Sequence, residues 1–144
     1  MPKTFHLKII TPNAIVLDDD VEEVIARSED GEIGILPDHI SLITPLVPAL
    51  FQYWQNGDKK IAAVLGGMLE VSKDCVNVIS DHAALAEEID TVVAEKEKEL
   101  AQARLAQKKD KLDVQKAELE LSRLLIMLQA AEMYKKTKNV NRVS

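Results

Sequence analysis

Over the first half of the chain apolar and polar positions alternate in short runs. Nine segments show it: TFHLKII (4–10), AIVL (14–17), VEEVIAR (21–27), EIGIL (32–36), ISLITPL (40–46), ALFQYW (49–54), KIAAVL (60–65), MLEV (68–71) and CVNVIS (75–80). All are rich in β-branched or aromatic residues, the composition of strands with a buried face. Turn signals separate them: Thr11-Pro12-Asn13, Asp18-Asp19-Asp20, Asp30-Gly31, Pro37-Asp38, Asn56-Gly57 and Lys73-Asp74. Asn56-Gly57 is the strongest, because a type I′ hairpin turn needs positive φ at both central residues. Turns every ~8–12 residues predict an antiparallel sandwich or barrel. Pro45 and Pro48 cannot donate to a ladder and are expected at an edge or a bend.

From Leu85 the period changes to that of a helix, and Ala, Glu, Lys, Gln and Leu, all good helix formers, take over. Val114, Ala117, Leu121, Leu124, Leu128 and Ala131 follow at 3-4-3-4-3 spacing, the apolar stripe of a packed helix. A weaker seam of smaller residues precedes it: Ala94, Ala101, Leu105, Leu112. Between the two, KKDKLD (108–113) interrupts the pattern with five charges and an Asp where an N-cap would stand. Two antiparallel helices are the economical reading, and one continuous coiled coil is the alternative.

Composition follows the same seam. All five glycines and all five prolines lie within the first 67 residues. Both residue types punctuate turns, so short elements must come first and long uninterrupted ones last. The expected organisation is β + α: an antiparallel β-sandwich over 1–86, then an antiparallel two-helix hairpin with a basic tail over 87–144. Residues 1–86 hold 6 basic and 13 acidic side chains, whereas 104–144 hold 10 basic and 5 acidic. The net charge of −6 argues against nucleic acid as a partner, since phosphate binding needs a basic footprint. The single Cys75 excludes an internal disulfide framework and is expected as a buried structural thiol in a strand. No apolar run approaches the roughly 20 residues that span a bilayer, and no N-terminal targeting signal stands out. A soluble protein that does not insert in the membrane, yet could sit on a membrane complex, is expected.

Asp38-His39 invites a catalytic reading. Adjacent residues on an extended chain point to opposite faces, so they make no base–orienter pair, and no oxyanion donor is identifiable. His6, His39 and His82 have no metal-ligand spacing. Gly31-x-x-Gly34 lacks the third glycine of a dinucleotide fingerprint, and no Walker lysine follows. No cofactor, metal or catalytic residue is expected. What remains is a set of turns dense in Gly, Pro and charge, and such loops on a sheet scaffold usually bind something.

GEIGILPDHISLITPL (31–46) followed by VLGGMLEVSKDCVNVIS (64–80) closely resembles the signature of the ε subunit of bacterial F-type ATP synthases. The resemblance extends to the N-terminal FHLKIITPN and to the helical C-terminal third. Ser41 departs from it, standing where the family usually has proline. The resemblance implies a non-catalytic subunit of the central rotor stalk, peripheral on the cytoplasmic face of the bacterial cell membrane. It implies that the sandwich grips the γ subunit and sits on the ring of c subunits, with Glu32 facing the c-ring and His39 lying against γ. It further implies a regulatory hairpin that folds down on the sandwich or extends along γ. When extended, its basic residues would meet the catalytic α/β subunits and hinder ATP hydrolysis; Lys116, Arg123, Lys135, Lys136, Lys138 and Arg142 would supply that basicity.

Some family members bind ATP in the folded hairpin through an I/L-D-x-x-R-A motif and further arginines. The matching run here keeps Ile89, Asp90 and Ala94, but Val93 occupies the arginine's place. Leu100 and Met127 replace further arginines, leaving Arg123. Weak or absent ATP binding is therefore expected, with Ile89, Asp90 and Ala94 serving as hinge and packing residues. The rivals are a free-standing adaptor built on the same two parts, and a small enzyme around His39.

Overall fold

A computed structural model describes residues 3–107 and 109–143, with side-chain surroundings described as far as Lys138. Eight strands come first: β1 (Phe5–Ile10), β2 (Ile15–Val21), β3 (Glu23–Ser28), β4 (Gly31–Ile35), β5 (Leu42–Gln55), β6 (Asp58–Ser72), β7 (Cys75–Ile79) and β8 (Ala83–Leu85). A 3-10 turn (Ala86–Glu88) then leads into α1 (Thr91–Gln107) and α2 (Lys111–Val143). The strands form one coiled sheet in the order β2-β1-β7-β6-β5-β3-β4, with β8 beside β6. Pairing is antiparallel except between β1 and β7, which run parallel. Glu22 N–H donates to Trp54 O at 2.8 Å and Gln55 Nε2 to Asp20 O at 3.2 Å, so the end of β2 closes against the end of β5.

The inner faces enclose the main core, in which Leu7, Ile9, Val21, Val24, Phe51, Leu69, Val76 and Val78 are fully buried. β5 and β6 are each longer than the alternation suggested, because each merges two of the predicted segments. The inward positions show how. In β6 they are Ala62 and Val64, then Leu69 and Val71; in β5 they are Leu46, then Phe51 and Tyr53. Parity therefore inverts in both strands at the same level, where Pro48 pairs with Leu65 and Leu46 with Gly67. There the sheet turns from one layer of the sandwich to the other. Gly67 makes this possible: its φ is 118°, and a Cβ on it would lie 2.0 Å from the Ile79 carbonyl oxygen. Pro48 sits where β5 has lost its β3 partner, between Leu46 and Gln52, and Pro45 lies in a stretch paired only with β6. The missing N–H of each is thus accommodated inside a long strand rather than at its end.

One expectation about a turn and one about burial need correcting. Asn56 (φ 54°) and Gly57 (φ 82°) form the tip of the β5–β6 hairpin as predicted. Asp18-Asp19-Asp20, however, is no turn but lies within β2, in register with Lys8, Leu7 and His6 of β1. Asp18 and Asp20 sit opposite basic Lys8 and His6, and all three carboxylates reach water on this edge strand; the reversal before it comes at Thr11–Ala14. Cys75 is half-buried rather than buried, at the first position of β7.

The hairpin is folded down. A second apolar cluster joins Ile61 and Ala63, on the outer face of β6, to Ala86 and to Ala130 of α2; Leu50, Ile89, Ile126, Met127, Met133 and Tyr134 pack around it. α1 packs chiefly on α2 through Ala94, Ala101 and Leu105, against a stripe that includes Ala117, Leu124, Leu128 and Ala131. Asp110 starts α2 as its N-cap, accepting from Leu112 N–H at 3.2 Å.

Candidate functional site: the docking faces of sandwich and hairpin

Glu32 lies on the edge strand β4, one residue beyond the Asp30-Gly31 turn, rather than at a loop tip. That turn is stiffened from inside: buried Ser28 donates its hydroxyl to Gly31 O at 3.0 Å and accepts from Asp30 N–H at 3.2 Å. Glu32 is cross-strand partner to Arg27, and both line a groove of about 310 Å³ whose far wall is Ile126 and Gln129 of α2. The structure thus brings the expected c-ring contact beside the docked helix.

His39 follows Asp38, which adopts φ 66°. The backbone there is left-handed rather than extended, but the outcome for catalysis is unchanged. Asp38 pairs with Lys3 at 2.8 Å, whose ammonium holds the carboxyl below its ordinary range, and His39 Nδ1 meets Ile40 O at 2.7 Å. Asp38 and His39 do not act on each other. Around them hydrophobic side chains stand in solvent: Leu36 and Ile40 in the loop, and Ile43, Met68 and Ile79 on one outer face of β5, β6 and β7. Ile40 is 79% exposed and Ile43 69%, an arrangement that suits a surface made to be covered.

On the hairpin, Asp90 caps α1, its Oδ1 accepting from Val92 N–H at 3.0 Å and Val93 N–H at 3.3 Å. Ile89 packs on the second cluster, Ala94 is buried, and Val93 projects outward. Met127 lines a cleft of only about 90 Å³ with Ala63, Leu65 and Ala84, well below the roughly 300 Å³ at which ligand sites begin. Lys116, Lys135, Lys136 and Lys138 are exposed along α2. Arg123 is half-buried, and its Nε is buried with no hydrogen-bond partner among the described residues. The side chain of Arg142 lies outside the described residues.

The pattern alone gave no notice of His6. Its Nδ1 lies 2.9 Å from Asp20 Oδ1 and its Nε2 is hydrogen-bonded to Asp18. Two carboxylates on the two ring nitrogens require both nitrogens to donate, so the imidazolium is favoured and the His6 pKa is raised, chiefly by the hydrogen bonds to Asp20 and Asp18. Strand periodicity would have found this trio had Asp18–Asp20 been read as strand: positions 18 and 20 share a face.

Residues 4–86 match the ATP synthase delta/epsilon chain β-sandwich domain, and 87–132 match the long α-helix domain of the same chain. The chain belongs to the ATP synthase delta/epsilon family. Curated relatives agree over nearly full length. The ATP synthase epsilon chain of Caldanaerobacter subterraneus is 43% identical, with 93% of this chain and 98% of that one covered. That of Bacillus velezensis is 40% identical, with 90% and 98% covered. Among solved structures, a chain of the Euglena gracilis mitochondrial ATP synthase (OSCP, F1 and c-ring) superposes with TM-score 0.73 at 24% identity, covering 90% of this chain and 82% of that chain. At that identity the likeness speaks for the fold. No described helix is long and apolar enough to cross a membrane.

Proposed function

We propose that this ε-family chain is a non-catalytic subunit of the central stalk of a bacterial F-type ATP synthase, held peripherally on the cytoplasmic face of the membrane. The sandwich (1–86) is its coupling joint and the hairpin (87–144) its regulatory arm. The observation that carries this reading is a pair of separate faces. One is the uncovered apolar face of Ile40, Ile43, Met68 and Ile79; the other is the outer face of β5–β6, closed by a helix that rests on it through a small cluster of alanines and methionines. A permanent partner fits the first, with His39 against γ, while Glu32, in the groove beside α2, is the c-ring contact. A reversible one fits the second. Extended, α2 would carry Lys116, Arg123, Lys135, Lys136, Lys138 and Arg142 to the acidic catalytic α/β subunits and restrain hydrolysis. A cross-linker placed at position 32 in the assembled complex should capture the c subunit, and deletion of 87–144 should raise ATP hydrolysis while coupling persists. Cross-links to catalytic subunits alone would sink the assignment of Glu32, and failure to co-purify with a rotary ATPase would favour a free-standing adaptor.

A further inference from the structure

A groove of about 330 Å³ opens where α2 crosses the tip of the β5–β6 hairpin, at the end of the contact between α2 and the outer face of β6. Its lining is mixed in an ordered way. Tyr53, Ile61 and Leu85 come from the sandwich, and Tyr134 closes the groove from α2. Lys59, Lys60 and Lys138 stand among the lining residues, and none makes an ion pair with a described residue. Lys59 lies 6.0 Å from the Trp54 ring, Lys138 5.9 Å from the Tyr134 ring, and Lys60 donates to the neutral Gln55 amide at 2.8 Å. Burial pushes the Tyr53 phenol up to about 12, so it remains a neutral donor at physiological pH.

The lining residues include two acidic ones, Asp58 and Glu87, and three lysines, so their formal charges sum to +1. One negative charge is therefore favoured there, whereas a polyphosphate would face both carboxylates at close range. The volume lies at the lower end of small-molecule sites, enough for a fused aromatic ring with one acidic group. We propose that this groove binds a small aromatic monoanion, a ring system bearing one carboxylate, and that the site exists only while α2 is docked. Because Tyr134, Thr137 and Lys138 come from α2 and the other lining residues from the sandwich and the 3-10 turn, occupancy stabilises the docked helix by linkage. Only its consequence for hydrolysis rests on the rotor reading; the binding does not.

The probe is 2-naphthoate titrated into the full-length, isotope-labelled chain and followed by amide chemical shifts. A saturable isotherm with a dissociation constant of roughly 0.1–1 mM is expected, with shifts centred on Tyr53, Ile61, Leu85 and Tyr134. Lys138→Glu, at an exposed position, should weaken it about tenfold or more through loss of a charge-assisted contact. Ala130→Leu, which disfavours docking, should raise the apparent dissociation constant in proportion to the undocked fraction. ATP should fail to displace the probe. No saturable shift, shifts centred on Ile43, Met68 and Ile79, or an unchanged affinity in Lys138→Glu would overturn the site. Displacement by ATP would overturn the single-charge class, and unchanged affinity in an undocked Ala130→Leu would overturn the requirement for α2. If the chain joins no rotary ATPase yet binds naphthoate as described, the groove stands and the regulatory consequence falls.

Discussion

Ala130 offers the most direct handle on the hairpin. It is wholly inaccessible at the centre of the second cluster, against Ile61, Ala63 and Ala86, so leucine there adds three carbons where no room exists. Overpacking of this kind costs about 1–3 kcal/mol, and here most of it falls on the docked state alone, since the undocked helix exposes position 130 to water. At about 1.4 kcal/mol per decade, the docked-to-undocked ratio should fall roughly 5- to 150-fold. Hydrogen exchange on the isolated Ala130→Leu chain reads this directly: amides of α2 from Ile126 to Tyr134 should lose protection while those of β1 and β7, in the inner core, keep theirs. In the assembled complex the same variant should hydrolyse ATP more slowly than the parent if the undocked helix is the restraining form. Retained protection over 126–134 would refute the packing argument, and loss of protection with unchanged or faster hydrolysis would refute the link from undocking to restraint.

Three further outcomes follow from named contacts. Isothermal titration with ATP should show no saturable micromolar binding to the parent chain, and Val93→Arg should gain affinity, because a guanidinium then stands beside the Asp90 cap where valine now projects. Gly67→Ala should destabilise the sandwich by about 2–6 kcal/mol, combining left-handed strain with the forced parting of β6 from Ile79, and should appear in denaturant melts or as failure to fold. The His6 clamp should make stability pH-dependent with a definite sign: the folded pKa lies above the unfolded ~6.5, so its contribution is complete below about pH 6.5 and disappears as pH rises through the folded value. Asp20→Asn should bring the His6 titration midpoint, read from its ring proton shift, back toward 6.5.

The β-then-helix order was legible because glycine and proline stop at residue 67, helix formers take over from Leu85, and a 3-4 stripe runs from Val114. The cap of α2 was readable in KKDKLD as Asp110, whereas Asp90, expected as a hinge or packing residue, caps α1 ahead of three β-branched residues that gave no helix signal. The merging of segments into β5 and β6 was not legible, because Pro45 and Pro48 in the one and Gly66-Gly67 in the other ordinarily signal an end. Only the tertiary crossing, with β3 absent opposite Pro48 and Gly67 wedged against Ile79, reconciles them with a continuous strand. Asp18–Asp20 was misread for a related reason: local propensity says turn, and a basic neighbour 12–14 residues away decides otherwise. Of the docking faces, charge and motif pointed to Glu32, His39 and the basic residues of α2. The groove at Tyr53 and Tyr134 joins residues over 80 positions apart, which no local pattern brings together.

The parity of β6 bears on whether such a hairpin can leave without unfolding the joint beneath it. Ala62 and Val64 face the inner core, whereas Ile61 and Ala63 face α2. Leu85 belongs to the first cluster and the next residue, Ala86, to the second. Along these stretches alternate residues are assigned to different cores, and in the described packing no residue serves both. Departure of α2 therefore exposes Ile61, Ala63 and Ala86, with Leu50 and Ile89 beside them, but leaves Phe51, Leu69 and Val76 in the other cluster. The buried centre of this contact is mostly alanine, and the larger side chains around it, Leu50, Ile89, Ile126, Met127, Met133 and Tyr134, are only partly covered, so undocking uncovers less apolar area than full burial of those side chains would imply. On the proposed reading a rotor joint must bear torque in either hairpin state, and strand alternation would supply the separation it needs: one face of β6 packs the sandwich core and the other carries the hairpin.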